Sequence, residues 1–308
     1  MPPGWSRHDF ADGKDRYAVF ARTPSEVWAI GAIAGDQLWR WDGGAWQRIP
    51  LGTTAPAFTV WAASATDILT GGLDDAKRRG DGHSWTTWGS TESITGLWGT
   101  SSADVWAVGL QSSRGAPSPN VVMHYDGTSW SVSQAWPQPS SVVKDWSYNC
   151  TIHGSARDNV WDFKHAAERE SPEIGPAELF RWDGVSWATN GRLPDDGHGH
   201  GYPNSGRLWV LSPTDVWVTY QDELLHFDGA TWARVAIPGS FLAVWASGAR
   251  DVVAAGQNGL IARYDGVAWS ILATSVSSEL FAVHGTAGDD VWVVGAHGVA
   301  LHYGVAKH

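Results

Sequence analysis

Three loops of this sequence carry side chains whose types and spacing could do chemistry. In LPDDGHGHGYPN, Asp195 and Asp196 precede His198 and His200, two imidazoles separated by one glycine. Two nitrogens behind two carboxylates form a donor set for a divalent metal, with Asp196, His198 and His200 as ligands and His165 as a third nitrogen. The spacing matches no zinc motif, and a glycine-flanked His-Gly-His equally suits a solvated loop. In DFKHAAERESPE stand Lys164, His165, Glu168, Arg169, Glu170 and Glu173, and the KHAAERE core could form one helical turn or two. DWSYNC supplies Asp145, Trp146, Tyr148 and Asn149. One use of such groups is catalysis of the lyase or hydrolase type, metal-assisted where an ion is held. His165, His198 or His200 would then serve as base or ligand, and Glu168, Asp195 or Asp196 as acid or orienter. The other use is binding, with aromatic rings as stacking platforms and loop polar groups as hydrogen-bond partners for a carbohydrate or other polar small molecule.

The elements that must position these loops repeat along the chain. An acidic or amide residue opens one strand of each copy: Glu26, Asp67, Asp104, Asn159, Asp215, Asp251 and Asp290. Six residues before each anchor stands a bulky ring: Phe20, Trp61, Trp98, His153, Trp209, Trp245 and His284. A turn recurs behind it, as in WDGGAW at Trp41, YDGTSW at Tyr125 and YDGVAW at Tyr264, where glycine accepts the positive φ of a tight turn. Between the anchors run short segments rich in Val and aromatics, bounded by Gly, Ser and Asp, which read as antiparallel strands. Copies of about 40 residues with four strands each predict an all-β, seven-bladed β-propeller. The seventh copy stops at His302-Tyr303-Gly304 without its outer strand, and Gly4-Trp5 supplies the missing piece. Residues 3–9 are therefore expected to complete blade 7 and close the ring within a single domain over 1–308.

A second column stands two residues before each turn aspartate or its equivalent: Arg40, Arg79, His124, Arg181, His226, Arg263 and His302. Anchor and basic residue meet at one edge of the blade, so a repeated side-chain bond is expected in every blade. That makes His124, His226 and His302 structural. His153 and His284 replace Trp or Phe, and their ring nitrogens are expected to find backbone partners, with a position facing the channel as the alternative.

Long insertions fall at 110–120, 131–146, 162–177 and 188–205, all within blades 3 and 4 and the approach to blade 5, on one face. Crowding of long loops on one sector marks a rim around a site. Arg207 starts the inner strand of blade 5, where other blades have Ala, Thr or Gly, and a cation there could face the channel and bind an anionic or hydroxylated ligand. Its alternative is an ion pair with an inserted acidic residue. The expected ligand contacts are Trp146, Tyr148, Lys164, His165, His198, His200 and Arg207.

Composition bounds the partners. The chain has 308 residues, 22 of them Trp, and a single Cys, which excludes an internal disulfide. A formal charge of -11 disfavours nucleic acid and anionic membrane, and no apolar run reaches the length of a membrane span. No signal peptide stands at the start, although a removed leader fits so early a first strand.

The repeat Trp98-Gly99, Asp104-Val105-Trp106, Asp126-Gly127 and Trp130 resembles that of the tryptophan-rich seven-bladed propeller lectins of the Photorhabdus type. It resembles more closely the DVWAVG…HYDGTSW repeats of bacterial surface proteins. The resemblance implies a seven-bladed propeller, a lectin-like role and a secreted or cell-surface location. It carries no sugar-binding residue over to any position of this chain.

Overall fold

The computed structural model describes residues 4–31, 38–89, 92–111, 120–136, 148–166, 177–194, 207–220 and 222–304, with backbone only at 92, 111, 136, 148–150, 164–166 and 192. Seven four-stranded antiparallel sheets follow one another along the chain. The innermost strands touch in sequence order, and the last of them, Leu280–Ala287, touches the first, Ala18–Thr23, so the blades form a closed ring.

Blade 7 is assembled from both ends of the chain. Strand Trp5–Arg7 pairs with Ala300–Gly304, placing Trp5 opposite Tyr303. Trp5 is buried, and the lead into blade 1 is pinned behind it. There the Arg16 guanidinium, fully buried, bonds Asp12 at 2.7 Å and lies 4.3 Å from the centre of the Phe10 ring. Closure by strand pairing leaves this blade no open inner or outer half.

Each sheet buries both faces, so its strands read as almost continuous apolar runs whose alternate residues serve different seams. In Asp251–Gly256, Val253 and Ala255 pack toward blade 7, whereas Val252 and Ala254 pack toward blade 5. The described residues form seven apolar clusters, one at each seam between neighbouring blades.

The turn aspartates work alike in six blades. Asp126 Oδ1 accepts the backbone N–H groups of Thr128 and Ser129 at 2.8 and 2.9 Å, while Gly127 takes φ of 94°. Those two donors favour the carboxylate and lower the Asp126 pKa.

The anchor column forms the expected bond in six blades out of seven. Arg79 grips Asp67 at 2.7 and 2.9 Å, His124 meets Asp104 at 2.7 Å, and Arg181 meets Asn159 at 2.8 Å. His226–Asp215, Arg263–Asp251 and His302–Asp290 follow at 2.9, 2.7 and 2.7 Å. The three histidines also stack on the strand tryptophan beside them, as His226 does on Trp217 at 4.0 Å. Blade 1 departs from the pattern. Glu26 is taken by Arg22, four residues before it, and among the described residues Arg40 makes no bond to Glu26. The Arg40 guanidinium instead lies 5.4 Å from the Trp28 ring centre.

Two other expectations need correction. Parts of the inserted segments are strand rather than loop, because the second strands of blades 3 and 4 run on through Asp104–Gln111 and Asn159–Ala166. Lys164–Ala166 accordingly pairs with Tyr148–Cys150 and is not the start of a helical turn. Trp88, which stands outside the repeat columns, is structural: it is buried, donates to the Thr70 carbonyl at 3.0 Å and stacks on Trp130 at 4.5 Å.

Candidate functional site

The innermost strands surround an axial cavity of about 290 Å³. Its wall is layered because successive side chains on a strand alternate, so every second residue comes from the same column. One layer is the small-residue column, with Ala18, Thr59, Gly96, Thr151, Ala243 and Ala282, and Arg207 as its seventh member. The next layer holds the rings of Phe20, Trp61, Trp98, His153, Trp209 and His284, while Trp245 of the same column is buried and does not line the cavity. Rings of adjacent blades touch, with His153 4.1 Å from Trp209 and His284 4.8 Å from Phe20, and Trp209 of blade 5 also lies 5.3 Å from His284 of blade 7. The cavity is thus floored by aromatics and walled above by small side chains and one cation.

Both histidines of the ring layer line the cavity, and both also have backbone partners. His153 Nδ1 accepts the N–H of Val210 at 3.0 Å, and His284 Nδ1 accepts that of Ala21 at 3.1 Å. Each bond crosses to the following blade. Burial holds both imidazoles neutral, lowering His153 to about 3 and His284 to about 4. The proximity of His284 adds to the effect on His153, while Asp290 pulls His284 slightly the other way.

Arg207 lines the axial cavity, the placement that its position in the repeat allowed. Its backbone N–H donates to the Thr219 hydroxyl at 3.1 Å, and its Nη2 donates to the Tyr17 carbonyl at 3.1 Å. Tyr17 leads into blade 1, and blades 6 and 7 lie between blade 5 and blade 1 on the shorter way round. The Arg207 side chain therefore reaches across the mouth of the cavity. Burial lowers the guanidinium from its ordinary value. Tyr17 is itself fixed, stacked on Phe281 at 5.1 Å, with its N–H bonded to the Ile30 carbonyl at 2.9 Å.

Of the other residues expected to contact the ligand, three have described backbones. Tyr148 pairs with Ala166, Asn149 with His165 and Cys150 with Lys164, so Tyr148, Lys164 and His165 share one extended hairpin of blade 4. Tyr148 stands three residues before Thr151 of the cavity wall, about 10 Å further along the strand. Trp146, Glu168, Asp195, Asp196, His198 and His200 lie outside the described residues. Among the described residues no group of three His, Cys, Asp or Glu side chains could hold a metal ion, and no helix is long and apolar enough to cross a membrane.

Sequence reasoning missed Tyr17, Phe58 and Phe281 at the mouth. Phe58 lies next to Thr59 of the small-residue column and lines the cavity, a position the repeat columns did not include.

No protein-family profile and no curated protein matches the chain. Solved structures do. YCF48 bound to D1 peptide superposes with a TM-score of 0.69 at 13% identity, over 99% of this chain and 98% of that one. YCF48 from Cyanidioschyzon merolae gives 0.65 at 15% identity, covering 98% of each chain. The WD40 propeller domain of Doa1 gives 0.65 at 13% identity, covering 98% of this chain and 96% of that one. At such identities these likenesses establish a Trp-rich seven-bladed propeller fold and leave the activity to be argued from the site.

Proposed function

We propose that this protein is a ligand-binding propeller that takes a carbohydrate or other polar small molecule on its loop-rich face, over blades 3–5. The observation that carries this reading is Arg207, a guanidinium in the cavity wall at a position filled in the other six blades by Ala, Thr or Gly. Scaffold residues recur from blade to blade, so a cation that breaks the column answers to something other than the repeat. The extended hairpins of blades 3 and 4 support the same sector, since they raise strand-borne residues beside that mouth. Tyr148, Lys164 and His165 stand on one of them, and Trp146, His198 and His200 belong to the flanking insertions. One structure with this fold, YCF48, was solved with a peptide bound, so the architecture is compatible with a bound guest. The catalytic reading rests on His165, His198, His200, Glu168 and Asp195, and no observation raises it above binding.

A glycan and metabolite screen by calorimetry on the whole chain tests the proposal, followed by alanine variants of Tyr148, Lys164, His165, His198, His200 and Arg207. Binding that weakens in these variants while they stay folded is expected. Gln257→Ala and Asn258→Ala, in the short turn of blade 6, should bind normally. Loss of binding in the blade 6 variants and none in the six would overturn the placement.

A further inference from the structure

We infer that the ligand enters the axial cavity and gives oxygen acceptors to the Nε2–H groups of His153 and His284. It is a neutral hydroxylated ring of monosaccharide size, an inference that rests on the binding reading above. The tautomer comes first. Each imidazole uses Nδ1 to accept a backbone N–H, from Val210 at 3.0 Å and from Ala21 at 3.1 Å. A neutral imidazole that accepts at Nδ1 carries its proton on Nε2, so each ring holds a donor there. Among the described residues neither Nε2 has an acceptor, and neither is sealed within the protein as the unpaired indole N–H of Trp209 is. Both rings line the cavity, so these donors open onto it.

The chemistry of the partner follows from the wall. A donor enclosed without an acceptor costs free energy, so this pair calls for oxygen atoms. His153 belongs to blade 4 and His284 to blade 7, and the Trp209 ring touches both, at 4.1 and 5.3 Å. Two donors that share one aromatic neighbour suit a ring with an apolar face and oxygens at its edge. No Asp or Glu is among the described residues lining the cavity, so a cation finds no counter-charge there. Arg207 at the mouth is already engaged, with the Tyr17 carbonyl among its partners, so an anion gains little either. Thr59 and Thr151 add hydroxyls, which donate or accept as sugar hydroxyls do. Size sets the last limit. About 290 Å³ lies at the lower end of the roughly 300–1,000 Å³ of small-molecule pockets, enough for one pyranose and too little for a chain.

The test is titration of the intact protein with D-galactose, D-glucose and D-mannose, and with cyclohexanol, a ring of similar size with one oxygen, followed by calorimetry and imidazole nitrogen NMR. In the free protein both rings should show the Nε2–H tautomer. At least one hexose should bind about tenfold more tightly than cyclohexanol and shift the Nε2–H signals of both histidines. His153→Phe and His284→Phe, which place in the column the ring that Phe20 supplies in blade 1, should each weaken that hexose about tenfold. The NMR arm needs no variant, so the comparison holds even if either protein folds poorly. An Nδ1–H tautomer in either ring, cyclohexanol binding as tightly as the hexoses, or no hexose binding in the millimolar range would overturn the inference. Hexose binding that leaves both histidines unshifted would also overturn it, while the binding reading, tested by the alanine variants of the rim, would stand.

Discussion

The Nδ1 of His153 accepts the backbone N–H of Val210 at 3.0 Å, joining blade 4 to blade 5 from inside the channel. His284 repeats the bond to Ala21 and so joins blade 7 to blade 1. Other blades are joined at this level by packing. Trp61 lies over Gly99, Trp98 over Gly154 and Trp245 over Gly285, each so close that a Cβ on the glycine would stand under 3.0 Å from the indole. The ring layer thus holds neighbouring blades together in two ways, and only one of them titrates.

Acid should loosen the histidine seams. In the unfolded chain an imidazole titrates near about 6.5, against about 3 for His153 and about 4 for His284 in the fold. Between those values the unfolded state binds more protons, so this contribution is full above about pH 6.5 and falls as the pH drops toward 4. The loss should approach about 3 kcal/mol for each histidine. His284→Phe should flatten the fall of Tm between pH 6.5 and 4, at a cost of about 1 kcal/mol at neutral pH for the missing bond. A Tm profile parallel to that of the wild type would show that His284 is not held neutral.

Asp104 is 2% exposed and bonds His124 at 2.7 Å, with the Thr100 hydroxyl as a second partner. Asp104→Ala should destabilise by about 1–3 kcal/mol, since it leaves a half-buried imidazole without its acceptor. His124→Ala should cost less in the Asp104→Ala background than alone. Strict additivity in urea denaturation of the four-member cycle would mean that the two side chains do not interact.

Arg263 makes three contacts with one guanidinium: Asp251 at 2.7 Å, the Gly288 carbonyl of blade 7 at 2.6 Å, and the Tyr303 ring at 4.9 Å. Arg79 does the same with Asp67, Ser102 and Tyr125. Arg263→Lys keeps the charge but loses the planar fork, and should cost about 1–2 kcal/mol. A thermal melt unchanged from wild type would reduce the arginine to a simple ion pair.

The pairing of Trp5 with Tyr303 makes a direct test of ring closure. Trp5→Ala removes a buried indole from the seam of blades 6 and 7 and should cost about 3–5 kcal/mol. Deletion of residues 1–9 removes the whole strand and should also promote aggregation through the exposed edge. Retained melting temperature and solubility in both would contradict closure by this strand.

The fold was legible because propeller blades repeat, and repetition turns single residues into columns. Asp104 with His124 means little alone; seven such pairs at one spacing specify an edge. The columns erred only where a neighbour intervened, as Arg22 does for Glu26. The site was less legible for the same reason. Arg207 was visible because it breaks a column. Tyr17 and Phe281 were not, because their pairing joins the lead into blade 1 to the inner strand of blade 7 across almost the whole chain length. No spacing rule links residues that meet only when the ring closes. The extended hairpin of blade 4 was also hidden, since Lys164-His165-Ala166 has no strand alternation and gains its pairing from Tyr148–Cys150 opposite.

Binding stoichiometry tests the central claim most directly: one polar-ligand site at the Arg207 mouth, rather than a site repeated at every seam. Titration of the tightest ligand from the screen should give one site per chain, lost in Arg207→Ala while the thermal melt is kept. A stoichiometry near seven, one for each blade junction, or one site that survives Arg207→Ala, would contradict it.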